Sequence, residues 1–214
     1  MRSYQQYCAV AKALDVIGDR WNLLIVRELL LRGACRYTDL LHGLPGIATN
    51  LLADRLRELE QAGIVYREDA PPPIATTLFR LTPRGEALQA AVAELGRWGA
   101  PLLAEPADED AYRGHWLALP TSLHLSDQAP DEPPVTIELR IGEEAVTVET
   151  VDGSVRTRLG PAETPDLILT GPPQLVVGVL TGRLTLADAQ AAGLEYDGDL
   201  AALRRVRPEA AVTH

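Results

Sequence analysis

The stretch Ile47–Gly63, "IATNLLADRLRELEQAG", has two unlike sides, and how they are read decides the fold. Leu52, Leu56 and Leu59 recur at i, i+4 and i+7, the spacing of one helical face, and predict a buried stripe. Asn50, Asp54, Arg57 and Gln61 recur at i, i+4, i+7 and i+11 on the other side and point outward together. Gly63 follows as a left-handed stop. Asn and Arg suit adenine and guanine edges in a major groove wide enough to admit a helix, and a helix N-terminus can meet a phosphate. Any solvated helix also shows a polar face, so the surrounding sequence has to decide.

Upstream, Val10, Leu14 and Ile17, then Leu23, Leu24, Val26, Leu30 and Leu31, give two helices separated by Gly18-Asp19. "RYTDLLHGL" (Arg36 to Leu44) gives a short third helix, and Pro45-Gly46 turns the chain into the opening stretch. Downstream, "IVYRED" and "TLFRLT" alternate apolar and polar residues around "APPPIAT", a β-hairpin with a stiff, proline-containing tip. After Thr82-Pro83, "RGEALQAAVAELGRWGAPLL" predicts one long helix with Leu88, Val92, Leu95 and Trp98 on a single stripe. Four helices, a hairpin and a helix in this order make a winged helix-turn-helix, in which a short helix, a tight turn and a second helix place the second in DNA.

Charge is unevenly spread along the 214 residues. Residues 1–105 hold 12 basic and 12 acidic side chains, while residues 106–214 hold 8 and 18, so the whole net charge of −10 lies in the second half. That half is repelled by phosphate, and the first is not. With 46% hydrophobic and 23% charged residues the composition is that of a globular chain, divided by length and charge into 1–104 and 105–214. The most apolar run, "WNLLIVRELLL", is interrupted by Arg27 and Glu28 and is shorter than a membrane span of ~20 residues. The N-terminus has no apolar h-region, so a cytoplasmic protein with no membrane partner is expected.

Cys8 and Cys35 are too few for a disulfide framework. Cys8 reads as a small buried hydrophobe, and Arg32 and Arg36 near Cys35 favour a thiolate there. His42, His115, His124 and His214 have no metal-ligand spacing, and no phosphate loop or nucleophile elbow is present. No cofactor, metal or catalytic residue is implied.

In the second half, "AEPADEDAYR" (Ala104 to Arg113) is an acidic junction whose Asp108, Glu109 and Asp110 would complement the N-terminus of a following helix. "VTIELRIG", "AVTVETVDG" and "SVRTRLG" read as meander strands with "DLILTG" a fourth; "PPQLVVGVLTG" and "TLADAQAAG" read as helices, and "DGDLAALRRV" closes an α+β half. The stretches around Leu175–Leu180 and Leu184–Ala192 are expected to cover the apolar side of that sheet.

Residues 4–102, through "YCAVAKALDVIGDRWNLLIVRELLLRGACRYTDLLHGLPGIATNLLADRLRELEQAGIV", "FRLTPRGEAL" and "LGRWG", resemble the HxlR-type regulators, bacterial winged-helix transcription factors that act as dimers. The resemblance implies that Arg36, Tyr37 and Asp39 lie on the positioning helix, and that Thr49, Asn50, Asp54, Arg55 and Arg57 lie on the recognition helix. Ala48 departs from the Ser or Thr that members often carry, so the N-cap role passes to Thr49 or is lost. The wing tip has no basic residue, which leaves Arg67 and Arg80 on its strands as candidates for DNA contact. Arg55, beside the leucine stripe, reads as a structural ion-pair partner. Some members carry a redox-sensing cysteine near the dimer interface where Cys8 stands, which makes a thiol switch the alternative to a buried role.

"PDLILTGPPQLVVGVLTGRLTLADAQAAGLEYDGDLAALRRV" resembles the C-terminal part of sterol-carrier-protein-2-like domains, which enclose an apolar tunnel between a sheet and helices. That resemblance makes Leu175, Val176, Val179, Leu180, Leu184 and Leu186 the candidate lining for a small apolar ligand, although each also suits a plain core. The leading expectation is a dimeric regulator of double-stranded DNA with an acidic sensing or assembly domain. The alternative is a lipid or small-molecule carrier whose helical half docks a partner; an enzyme acting in the tunnel is the least supported.

Overall fold

A computed structural model describes residues 3–71, 76–104 and 111–208. The chain divides into two compact units, Met1–Ala111 and Tyr112–His214.

The first unit is a winged helix-turn-helix. Its elements are α1 (Ala9–Ile17), α2 (Asn22–Arg32), β1 (Ala34–Arg36), α3 (Tyr37–Gly43), α4 (Thr49–Gln61), β2 (Val65–Asp69), β3 (Thr77–Leu81), α5 (Pro83–Glu86), α6 (Gln89–Gly99) and a 3₁₀ turn, Ala100–Ala104. Leu52, Leu56 and Leu59 of α4 close on Ile25, Val26 and Leu29 of α2 and on Leu40 of α3 in one buried cluster, so the leucine stripe is the inner side of α4. Gly63, at φ +69°, turns the chain from α4 into the wing, a conformation that a side chain would strain.

The structure departs from the sequence reading in two places here. Ala34–Arg36 is a strand, too short to show a period of two, and it pairs antiparallel with β3 through Cys35 and Phe79 to give the sheet order β1-β3-β2. The expected long helix is two: α5 is capped by the Thr82 hydroxyl accepting from the Gly85 amide at 3.1 Å and ends before Ala87, and α6 starts at Gln89. Its apolar stripe therefore splits, with Leu88 and Val92 against the core while Leu95 and Trp98 are exposed. The wing-tip expectation rests on residues 72–75, which lie outside the described residues.

The second unit holds a 3₁₀ turn (Gly114–Leu117), α7 (Ala118–His124), β4 (Leu125–Asp127), β5 (Thr136–Ile141), β6 (Glu144–Val151), β7 (Ser154–Leu159), β8 (Leu167–Thr170), α8 (Pro173–Leu180), α9 (Leu186–Ala191), β9 (Glu195–Gly198), α10 (Leu200–Arg205) and β10 (Val206–Pro208). Its seven strands run in the order β10-β4-β7-β6-β5-β8-β9. Strands β5 to β7 form the expected meander, but β8 crosses to the far side of β5 and pairs with it in parallel. Ile137 and Leu139 thereby sit in register with Val148 and Val146 on one side and with Leu167 and Leu169 on the other, all six fully buried.

That apolar face is covered by a helix the sequence reading did not contain. The 3₁₀ turn and α7 lie against β6 and β7, where the Thr157 hydroxyl donates to the Ala118 carbonyl at 3.0 Å. Pro120 hides α7 in the sequence, but it occupies the first helical turn, where no intrahelical N–H is required. α10 lies against β5 and β8, while α8, one of the two stretches expected as the cover, packs on α9 and beside β10. On the polar face, the connection after β7 lies over the strands: Gly160 accepts from Thr147 and the Ala162 amide donates to Glu138, both at 2.8 Å. The acidic-junction expectation falls on residues 105–110, outside the described residues.

Candidate nucleic-acid interface

The outward side of α4 carries Asn50, Asp54, Arg57 and Gln61, all exposed. Arg57 donates from Nη1 to the Asp54 carboxylate at 2.9 Å, one turn away. The helix is held at its start and its middle. No side chain caps it, since Ala48 occupies the N-cap and Thr49 has not taken over that role. Instead the Tyr37 hydroxyl on α3 donates to the carbonyl of Thr49, tying the two helices of the motif together. At mid-helix Arg55 pairs with Asp19 in the α1–α2 turn and with Glu58 at 2.8 Å, a structural tie that points it away from base reading. Sequence reasoning missed Tyr37 as an anchor and Asp19 altogether, because neither link has a local spacing signal.

α3 is fixed from both ends. The Asp39 carboxylate accepts the Arg36 backbone amide at 2.8 Å, and the Arg36 side chain is exposed and in no ion pair among the described residues. Behind α3, Glu28 of α2 is fully buried, 2.8 Å from Arg27 and 3.5 Å from Arg32, and its carboxylate fills the space beside Gly43. A Cβ at Gly43 would lie 2.1 Å from Glu28 Oε2, so the residue is glycine for room. Burial lowers the Arg27 pKa, and the adjoining Glu28 opposes that shift.

The wing offers less free charge. Arg67 pairs with Glu60 at 2.9 Å and lies over the Phe79 ring at 5.6 Å, and Arg80 pairs with Glu68. Both strand arginines are exposed enough to reach a duplex, but each shares its charge with a carboxylate.

The two thiols differ from the sequence reading. Cys8 is exposed and stands at the N-cap of α1, not in a core. Its pKa is lowered chiefly by the backbone amide of Ala11 and then by that of Val10, which favour the thiolate at the start of the helix. Cys35 is buried, and burial pushes its thiol up to about 12 despite Arg32 nearby. The expected thiolate at Cys35 is thus corrected: on a strand, Cys35 faces inward while Arg36 faces out.

Of the candidate ligand-lining residues, Val176, Val179 and Leu180 on α8 are buried, and Leu175, Leu184 and Leu186 are half-buried. Leu184 packs against Gly178, where a Cβ would meet its Cδ1 at 2.6 Å. Arg207 donates to the Val179 carbonyl at 2.6 Å and so satisfies the end of α8. Among the described residues no cluster of three metal-ligating side chains occurs, and no helix is long and apolar enough to cross a membrane.

Residues 16–106 match the HxlR-like helix-turn-helix family. The HTH-type transcriptional regulator YodB of Bacillus subtilis (strain 168) is 38% identical over 96 residues, which is 45% of this chain and 84% of YodB. The chain belongs to the HxlR-like helix-turn-helix family. YvaP of the same organism, an uncharacterised HTH-type transcriptional regulator, is 36% identical over 87 residues, 41% of this chain and 80% of YvaP. The solved structure of the reduced form of the transcriptional regulator YodB from B. subtilis is 36% identical with a TM-score of 0.40, covering 48% of this chain and all of that one.

Proposed function

We propose that this protein is a cytoplasmic transcriptional regulator that binds double-stranded DNA as a homodimer through the HxlR-like unit, with the second unit as a sensing or assembly domain. The observation that carries the reading is the outward side of α4, where Asn50, Asp54, Arg57 and Gln61 stand exposed in line while Leu52, Leu56 and Leu59 lock the other side. Thr49 at its start and Arg36, which ends β1 just before α3, supply phosphate contacts, Tyr37 holds the start of α4 in place, and Arg67 and Arg80 add weaker wing contacts. Dimerisation is supported by apolar residues left exposed on the N-terminal segment and on α6 with its 3₁₀ extension: Tyr7, Val10 and Leu14, and Leu95, Trp98, Leu102 and Leu103.

Two inputs are consistent with this arrangement. Cys8, exposed with its pKa lowered, suits a thiol that responds to oxidants. The second unit, read as a sterol-carrier-protein-2-like domain spanning residues 105–214, would admit a small apolar ligand beside Leu175, Val176, Val179, Leu180, Leu184 and Leu186. Such a ligand regulates only by binding the DNA-competent and DNA-incompetent states unequally.

The test is binding of the full-length protein to a duplex from upstream of its own coding region, titrated with salt. Affinity should fall linearly in log–log form with salt, and Asn50→Ala and Arg57→Ala should each cost ~1–3 kcal/mol. Wild-type affinity in both variants would remove α4 as the reader. Retention of an apolar ligand with no DNA binding at any salt would turn the reading to a carrier.

A further inference from the structure

Asp54 places a carboxylate in the middle of a surface that would meet a polyanion. Asp is a poor residue for a helix interior, and phosphates within a Debye length repel it. The packing of α4 is carried by its leucines on the other side, so burial does not account for Asp54 either. What the structure gives it is Arg57. Nη1 of the guanidinium sits 2.9 Å from Oδ1, and the two side chains keep 57% and 52% of their exposure. Neither side chain has another hydrogen-bond or ion-pair partner among the described residues. Arg57 keeps its Nη2 and Nε protons free, and Asp54 keeps Oδ2 free.

We infer that Asp54 is the positioning residue for Arg57 and selects the base beside the one that Arg57 reads; this rests on α4 being the recognition helix. A free arginine samples many rotamers and loses them on binding, whereas a guanidinium held at one nitrogen already presents its remaining N–H groups as a fork. That fork matches guanine O6 and N7. Oδ2 accepts a hydrogen bond from an exocyclic amine, cytosine N4 or adenine N6, and repels the carbonyl oxygens that thymine and guanine place at the same level of the groove. The duplex recognised thus carries, in each half-site, a guanine beside a base with a major-groove amine.

The experiment selects duplexes from a library randomised over ~20 base pairs, long enough for two half-sites about one helical turn apart, with wild-type full-length protein, Arg57→Lys and Asp54→Asn. Affinity for one selected duplex and one unrelated duplex is then measured, with thermal midpoints as a check on folding. Wild type should enrich a guanine flanked by cytosine or adenine. Arg57→Lys should lose the guanine preference and bind the selected duplex about 10-fold more weakly. Asp54→Asn should tolerate thymine or guanine at the flanking position. It should also bind the selected duplex about 5-fold more weakly yet the unrelated duplex more tightly, because a repelling charge is gone. Loss of a merely structural contact would not move the two affinities in opposite directions. An Asp54→Asn variant with the wild-type base profile, or one weakened equally on both duplexes, overturns the role of Asp54 alone. A wild-type protein that enriches no sequence at all overturns the recognition-helix reading and this inference with it.

Discussion

Gly43→Ala is the sharpest probe of the helix-turn-helix core. The new methyl would sit 2.1 Å from Glu28 Oε2 and 2.6 Å from Cδ, far inside contact distance. Glu28 is an otherwise flexible side chain, but it is fully buried and held by Arg27 at 2.8 Å and Arg32 at 3.5 Å, so moving away means leaving its partners. Overpacking costs ~1–3 kcal/mol, and separating a buried ion pair ~3–5 kcal/mol. Both arginines retain some exposure and can follow part of the way, and alanine gains up to ~1 kcal/mol over glycine in a helix. A net loss of about 2–3 kcal/mol is expected, or a fall in Tm of at least ~8 °C for a unit of this size. Urea and thermal unfolding of the full chain, followed by Trp21 and Trp98 fluorescence in a Trp116→Phe background, reads it. The decisive arm is the cycle with Glu28→Ala: once the carboxylate is gone, Gly43→Ala should be neutral or stabilising, giving a coupling of about 2 kcal/mol or more. Equal cost in both backgrounds would show that Gly43 is glycine for some reason other than Glu28.

Three further outcomes are expected. Tyr37→Phe removes the hydroxyl that holds the start of α4 and should lower stability by ~0.5–1.5 kcal/mol while weakening duplex binding; unchanged binding would mean α4 needs no such tether. Alkylation of the native protein should modify Cys8 with a pH midpoint below that of an ordinary thiol and leave Cys35 untouched until unfolding; equal rates at the two sites would contradict their assigned environments. In the second unit, the Arg205 guanidinium, 2.7 Å from both Asp127 oxygens, holds that carboxyl below its usual range. The folded pKa lies below the unfolded one, so the stabilisation is full above ~pH 4 and is lost as pH falls through the folded value; Asp127→Asn should flatten that acid limb in urea midpoints followed by Trp116.

Period was the legible signal. The two sides of α4, the wing strands and the β5–β7 meander all repeat over five residues or more, and each is where the spacing put it. What escaped depends on contacts distant in sequence. β1 is three residues long and is a strand only because β3 is there to pair with it. The parallel partnership of β8 with β5 is fixed by a crossover that no local pattern records. At the candidate site, the polar row of α4 could be read from spacing alone, but the ties of Tyr37 to Thr49 and of Arg55 to Asp19 join separate elements. Cys8 read as buried because nothing in the sequence marks a lowered thiol pKa, whereas the structure leaves it exposed at the start of α1, beside the exposed Val10 and Leu14.

The ends of the seven-stranded sheet bear on how copies of the chain can associate. An outer strand carries unpaired amide and carbonyl groups and is a template for another chain. β9, at one end, is four exposed residues that include Glu195 and Asp197 and stop at Gly198. β10, at the other, is three residues long and finishes on Pro208, which has no amide hydrogen to give. Edge-to-edge growth of the sheet therefore meets like charge at one end and a missing donor at the other. A substitution that neutralised Glu195 and Asp197 would remove the repulsion at β9 and open a route to edge-to-edge polymer.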